Sequence, residues 1–121
     1  MSTPGLEFAR AVADRSSAAL VATLADDVDF AGLTPGRRWV ATTPEEVVEA
    51  VLGNWFTESD RIHAATWDEG EPVVDTRHVT YRLEIVNDDG PHRVEQQVYY
   101  RSHEGRITWM RVLCSGFRPV S

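Results

Sequence analysis

The sequence has little cysteine, little basic charge and no long apolar run. Cys114 is the single cysteine, which excludes a disulfide within the chain and fits a reducing compartment. No stretch approaches the roughly 18 apolar residues of a membrane span, and the first residues lack a signal-peptide core. We therefore expect a cytoplasmic protein without a membrane partner.

Basic side chains are too sparse for a nucleic-acid surface. Lys and Arg number 12 against 19 Asp and Glu, so the net charge is -7. Phosphate binding needs clustered cations, and Arg37-Arg38 is too short a cluster. The four histidines have no metal-binding spacing, and no phosphate-binding glycine loop is present. We expect no nucleic acid, no metal and no cofactor.

What is present is an ordered series of helix and strand signals. Helices are predicted to begin at the capping residues Thr3 and Ser17. Thr43 and Glu46 form a capping box that begins a third helix, whose apolar face ends at Trp55. With 121 residues, the chain has the length of one domain, so residues 1–121 are assigned to one.

Three long strands follow between Thr76 and Arg118, with two-residue turns expected at Asp89-Gly90 and Glu104-Gly105. These turns pair Arg82 with Gln97, and Tyr99 with Met110. Side-chain alternation then gives two faces. The first face carries Val79, Tyr81, Leu83, Ile85, Val94, Gln96, Val98, Tyr100, Ile107, Trp109, Arg111 and Leu113, and the second carries His78, Thr80, Arg82, Glu84, Glu95, Gln97, Tyr99, Thr108, Met110, Val112 and Cys114.

This order resembles the nuclear transport factor 2-like superfamily, its SnoaL-like branch in particular. The resemblance is carried by Leu24-Ala25-Asp26-Asp27, Gly105-Arg106-Ile107 and Trp109-Met110-Arg111-Val112. The segments LTPGRRW and VLCSGFRP resemble bacterial members of unassigned function. The resemblance implies an α+β cone: a curved antiparallel sheet with three N-terminal helices on its concave face, a pocket inside, and a homodimer through the convex face.

The resemblance also implies site residues, because it turns the second face inward. Ligand-binding residues are then expected to be Phe8, Trp55, Thr80, Arg82, Gln97, Tyr99, Met110, Val112 and Cys114. The dimer interface is expected to contain Tyr81, Val98, Tyr100, Trp109 and Arg111. A β-bulge would shift the parity by one residue, and the first face is the more apolar one, so the opposite orientation stays open.

Ketosteroid isomerases of this superfamily need a carboxylate base, a tyrosine and a protonated aspartate. Alignment along the resemblance puts Gly32 at the base, Phe8 at the tyrosine and Gln97 at the aspartate. The resemblance therefore implies that this chemistry has lost its base and its hydroxyl.

Limonene epoxide hydrolases need an Arg between two Asp, and a Tyr and an Asn that hold a water. Arg82 and Glu84 resemble half of the charged set, while Val112 takes the place of the second Asp. Phe30 and Gly32 fall at the water-holding positions, so most of that site is unmatched. Polyketide cyclases of this fold use a carboxylate and a histidine, for which His78 is a candidate.

The sequence leaves three function classes open. The first is a non-catalytic, dimeric protein that holds a small apolar molecule, with Arg82 and Gln97 as its polar contacts. The second is an acid/base enzyme of the isomerase, epoxide hydrolase or cyclase type that uses Glu84 or His78. The third is a partner-binding subunit with a vestigial pocket. Arg82, Glu84, Glu95 and Gln97 could equally form a cross-strand ladder of ion pairs without a ligand.

Overall fold

The computed structural model describes residues 2–120, and its helices come before most of the sheet. Helix α1 spans Pro4–Ala13, and the Thr3 hydroxyl accepts a hydrogen bond from the Leu6 backbone N–H at 3.2 Å. This confirms the predicted cap. Helix α2 spans Ser17–Ala22, but Ser16 caps it instead of Ser17.

The third helix starts as predicted and then widens. Helix α3 spans Pro44–Val48, and the Thr43 hydroxyl accepts from the Glu46 N–H at 3.2 Å. The chain continues as a π-helical turn over Glu49–Asn54. No feature of the sequence predicted this wider turn. The turn sets the direction of the residue that follows it, Trp55.

The strands form one mixed sheet. Strand order is β2-β1-β6-β5-β4-β3, with β7 paired to β5. Neighbours are antiparallel except β1 and β6, which are parallel. This curved, unclosed sheet with helices against its concave face confirms the predicted α+β cone. The strands are β1 Leu24–Thr34, β2 Arg37–Ala41, β3 Arg61–Glu69, β4 Arg77–Asn87, β5 Gly90–His103, β6 Arg106–Cys114 and β7 Arg118–Pro119.

The first strand is longer than its sequence suggested. Asp26, Asp27 and Gly32 all lie inside β1, although charged residues and glycine are more common in turns than in strands. The irregular pairing of β1 with β6 between Leu24 and Asp29 accommodates the two charged residues. Gly32 is therefore a sheet residue paired with Trp39, and its lack of a side chain serves packing instead of a turn.

The turn between β4 and β5 lies at Asp88-Asp89, one residue earlier than predicted. Asn87 pairs with Gly90, so Arg82 pairs with Glu95 instead of Gln97. The shift moves each pair by two residues. Because alternation repeats every two residues, the predicted faces of β4 and β5 are unchanged.

The turn at Glu104-Gly105 is where the sequence placed it, but a bulge follows. Arg101 pairs with Trp109 and Ser102 with Ile107, which leaves Thr108 extra. Tyr99 consequently pairs with Arg111, so the predicted pairing with Met110 is wrong. The bulge reverses the parity of β6 after Thr108.

The expected orientation of the sheet is wrong as well. Phe8 of α1 packs on Tyr81 of β4 with ring centroids 6.4 Å apart, so the face with Tyr81 is the inner one. Leu83, Val98 and Tyr100 on that face are fully buried. The physical reason is area: this face carries most of the apolar surface, and its removal from water drives packing against the helices. Among residues 2–120, no helix is long and apolar enough to span a membrane.

Candidate functional site

Trp55 packs on strands β1 and β2 beside an open cleft, and we call this part of the fold the mouth of the cone. Its ring centroid is 6.1 Å from that of Phe30 on β1 and 6.4 Å from that of Trp39 on β2. The π-helical turn places it there, since the Trp55 N–H donates to the Ala50 carbonyl at 3.1 Å. Such turns are frequent at functional sites.

Gly32 makes room for the Trp55 ring. A Cβ atom on Gly32 would stand 3.0 Å from Cζ2 and 3.1 Å from Cη2 of Trp55. A side chain at this position would therefore require the indole to shift by a few tenths of an ångström. The pair defines a contact that only glycine permits without movement.

The indole nitrogen of Trp55 is buried and has no hydrogen-bond partner. Trp39, in the same aromatic cluster, donates its indole N–H to the Thr34 hydroxyl at 2.9 Å. A buried donor without a partner costs about 1–3 kcal/mol relative to a satisfied one. Trp55 thus holds a donor for which the described residues provide no acceptor.

The loop after Trp55 is fixed by a buried carboxylate. Asp60 accepts from the Thr57 N–H at 2.7 Å and from the Asn87 side-chain amide at 3.0 Å. Arg15 donates to the carbonyls of Asp60 and Thr57 at 2.8 and 3.2 Å. These bonds tie the loop to α1 and to the end of β4, so the frame around Trp55 is held from both sides.

A cleft of about 600 Å³ opens beside Trp55. Two aromatic side chains wall it, Trp55 and Phe117, and the other residues that line it are polar or acidic. No Lys or Arg lines it. The remaining lining residues are Thr57, Ser59, Asp60, Asn87, Asp88 and Asp89.

The interior beyond the mouth is tightly filled. The Tyr81 hydroxyl donates to the Gln96 side-chain carbonyl, and both residues are buried. Burial raises the pKa of Tyr81 well above its ordinary value. Phe8 and Met110 have no exposed surface, which leaves no room for water against them. The polar pair is satisfied within itself and does not call for a ligand.

The predicted catalytic residues lie on the outer face, away from the mouth. Arg93 bonds the Glu84 carboxylate at 2.7 Å, and this hydrogen bond lowers the pKa of Glu84. His78 stacks on Tyr99 with ring centroids 4.5 Å apart. The Glu84 carboxylate and the His78 imidazole are not hydrogen-bonded to each other, so they do not form a catalytic pair.

The predicted ligand-binding residues divide among three places. Phe8, Met110, Val112 and Cys114 lie in the core, and Trp55 lies at the mouth. Thr80, Arg82, Gln97 and Tyr99 lie on the outer face, where Arg82 pairs with Glu95 at 2.8 Å. The expectation that one pocket gathers them is wrong because the bulge and the sheet orientation separate them. Arg82 and Glu84 instead belong to cross-strand ion pairs, Arg82 with Glu95 and Glu84 with Arg93.

The outer face carries an apolar groove of about 410 Å³. Leu33 of β1 and Leu113 of β6 are paired across the strands and are 50% and 57% exposed. Trp109 and Arg111, two of the predicted interface residues, lie on this face. The prediction that Tyr81, Val98 and Tyr100 join them is wrong, since all three are buried beneath the helices. The groove is lined by Ala31, Gly32, Leu33, Arg38, Gln97, Tyr99, Arg111, Val112 and Leu113.

Sequence reasoning missed most of the residues around Trp55. Gly32 was considered only as the counterpart of residues in related enzymes, and Trp39, Phe117 and Asp60 were given no role. One available signal was the presence of an aromatic residue in each of β1, β2 and the turn after the third helix. Linking them needed the pairing of Gly32 with Trp39, which only the fold provides.

No protein family profile matches the sequence, and no curated protein matches it. Solved structures do match. A candidate isomerase from Rhodopseudomonas palustris is 18% identical, covers 96% of this chain and 92% of its own, and superposes with a TM-score of 0.72.

Two further structures are similar. A ketosteroid isomerase-like protein from Erwinia carotovora atroseptica is 20% identical over 92% of this chain and 90% of its own, with a TM-score of 0.61. A candidate SnoaL-like polyketide cyclase from Mesorhizobium loti is 17% identical over 90% and 94%, with a TM-score of 0.63. At these identities the likeness shows the fold alone, an α+β cone with helices against a curved sheet.

Proposed function

We propose that this protein binds a small, largely apolar molecule at the mouth of the cone, against Trp55. The observation that carries the proposal is the buried indole N–H of Trp55 without a partner, within an aromatic cluster and beside an open cleft. A ligand could supply both the apolar contact and the missing acceptor. Binding sites of this kind are mostly apolar with a few placed polar groups.

Because the interior is filled, the mouth is a better candidate for the binding site than the deeper part of the cone. Tyr81, Leu83 and Met110 leave no accessible space between sheet and helices. A deep ligand would have to displace well-packed side chains, at about 1–3 kcal/mol or more for overpacking. A ligand at the mouth needs only the Trp55 ring to move.

Thermal melting of the protein with a library of small neutral metabolites tests this function. A ligand that binds only the native state raises the melting temperature in proportion to its concentration over Kd. We expect stabilisation by apolar compounds that is lost in Trp55→Ala and kept in Trp67→Ala, which alters a tryptophan that packs near Arg10 instead. A library without any stabilising compound would overturn the proposal.

We also propose that the outer face binds a second copy of the chain. Leu33, Leu113 and Tyr99 present exposed apolar surface across adjacent strands, and large patches of this kind are usually covered. Arg38 beside them makes no ion pair among residues 2–120, so a carboxylate of the partner subunit could meet it. A twofold axis through the face would bury the same patch on both copies.

Light scattering tests the second copy directly. A mass of twice 13.6 kDa at micromolar concentration is expected, and a mass of 13.6 kDa would reject the dimer.

Acid/base catalysis is the alternative function, favoured by the isomerase-like and cyclase-like descriptions of proteins with the same fold. In this chain, Glu84 and His78 lie on the outer face, and the pKa of Glu84 is lowered, whereas a general base gains from a raised one. A turnover with a pH profile that vanishes in Glu84→Gln and His78→Ala would promote the enzyme over the binding protein.

A further inference from the structure

We infer that the ligand at the mouth is a neutral apolar molecule that carries a hydrogen-bond acceptor, such as a ketone oxygen, and that the Trp55 indole N–H donates to it. This inference rests on the proposed function and names the ligand class of the same site. Its basis is the balance of donors, acceptors and charges around Trp55.

The buried side chains offer an unpaired donor. Among residues 2–120, Nε1 of Trp55 is the one buried side-chain nitrogen or oxygen without a partner. The buried hydroxyl of Tyr81 already donates to Gln96, and the Trp39 indole already donates to Thr34. A ligand acceptor would therefore be paired by Trp55, and the donor that burial leaves unsatisfied would gain its bond.

The surrounding charges favour a neutral ligand. Asp88 and Asp89 on the turn that lines the cleft would repel an anion, and no cation lines the cleft to offset them. A ligand cation directed at Trp55 would face an N–H donor, whose dipole repels positive charge. The ligand group that meets Trp55 is therefore a neutral acceptor, because the two aspartates repel an anion and a cation cannot accept the indole proton.

The indole must shift to make this bond. Its six-membered ring packs on Gly32, and Nε1 has no access to solvent in this position. The unpaired donor weakens the closed position relative to one in which the ring turns toward the cleft. An acceptor that enters from the cleft would stabilise the turned position of the ring. The turning of the ring and the formation of the hydrogen bond therefore occur together.

Two probes of matched shape separate the hydrogen bond from apolar contact. Indane and 1-indanone share a bicyclic skeleton, and only the ketone carries an acceptor. Calorimetric affinities would be measured for the wild type, for Trp55→Phe, which keeps an aromatic ring and removes the donor, and for Trp39→Phe. Trp39→Phe is the matched control because its indole N–H is already used by Thr34.

We expect the affinity ratio of indanone to indane to fall by about 3- to 10-fold in Trp55→Phe, the worth of one net hydrogen bond. The ratio should stay near the wild-type value in Trp39→Phe. If both probes bind the wild type and Trp55→Phe keeps the full ratio, the inference is wrong while the binding function stands. If neither probe binds the wild type, the binding site at the mouth is itself rejected.

A measurement on the wild type guards against a variant that does not fold. The Trp55 indole proton should move downfield with 1-indanone relative to indane, because hydrogen bonding deshields it. Equal shifts with both probes would contradict the proposed bond.

Discussion

The six-membered ring of Trp55 rests directly on Gly32, close enough that a Cβ atom there would stand 3.0 Å from Cζ2. This contact joins the π-helical turn after α3 to strand β1 and closes the mouth of the cone.

Gly32→Ala should push the Trp55 ring off the sheet. We expect a loss of about 1–3 kcal/mol in the free energy of unfolding, because the new methyl overpacks the contact. Chemical denaturation followed by tryptophan fluorescence measures it. Gly53→Ala is the matched control, since its added Cβ would meet only Glu49 Cγ at 3.9 Å. An equal loss in both variants would contradict the special role of Gly32.

Tyr81→Phe should destabilise the fold through its buried partner. The change leaves the Gln96 carbonyl unpaired in the core, which costs about 1–3 kcal/mol. Urea denaturation of Tyr81→Phe, Gln96→Leu and the double variant forms a double-mutant cycle. We expect the double variant to lose less than the two single losses combined. Additive losses would show that the two side chains are not coupled.

Leu113→Glu should break the proposed dimer. The new carboxylate would lose its hydration in the assembly, which an ion pair with Arg38 would offset only in part, whereas on the monomer it would lie in water. Sedimentation velocity should report a smaller species than for the wild type. The control is Val74→Glu, at a 94% exposed residue in the loop between β3 and β4, which should leave the mass unchanged. A dimer that survives Leu113→Glu would place the interface elsewhere.

Glu84 should titrate below an ordinary glutamate. The Arg93 hydrogen bond lowers its pKa in the folded protein, so the unfolded chain binds its proton at higher pH than the native state does. The stabilising contribution is therefore present above the unfolded pKa and lost as the pH falls through the folded pKa. Carbon NMR of the Glu84 carboxyl measures this, and Arg93→Gln should raise the pKa. No change in Arg93→Gln would contradict the assigned cause.

The sequence carried the local structure further than the site. Caps at Thr3 and Thr43 were readable because a side chain and a backbone N–H within a few residues decide them. Alternation along β4 and β5 was readable for the same reason. The bulge at Thr108 was not, because it depends on how β6 must bend to pair with β5 and with β1 at once.

The expected orientation of the sheet departs furthest from the structure. The resemblance favoured the face with Gln97 and Tyr99 inward, while apolar area favoured the face with Tyr81 and Val98. In the structure, the face with the larger apolar area, which carries Tyr81 and Val98, is the buried one. Because of this orientation, Trp55 was grouped with residues that lie on the outer face. Its actual neighbours, Gly32 and Trp39, belong to strands whose pairing the sequence did not specify.

The most direct test of binding at the mouth is a titration of the wild type with 1-indanone, followed on its indole N–H signals by nitrogen-edited NMR. The four tryptophans report different places: Trp55 and Trp39 the mouth, Trp67 the edge strand β3, and Trp109 the outer face. We predict that Trp55 shifts most and saturably, with Trp39 following and Trp67 and Trp109 unmoved. Saturable shifts confined to Trp109, or no saturable shift at all, would contradict the account.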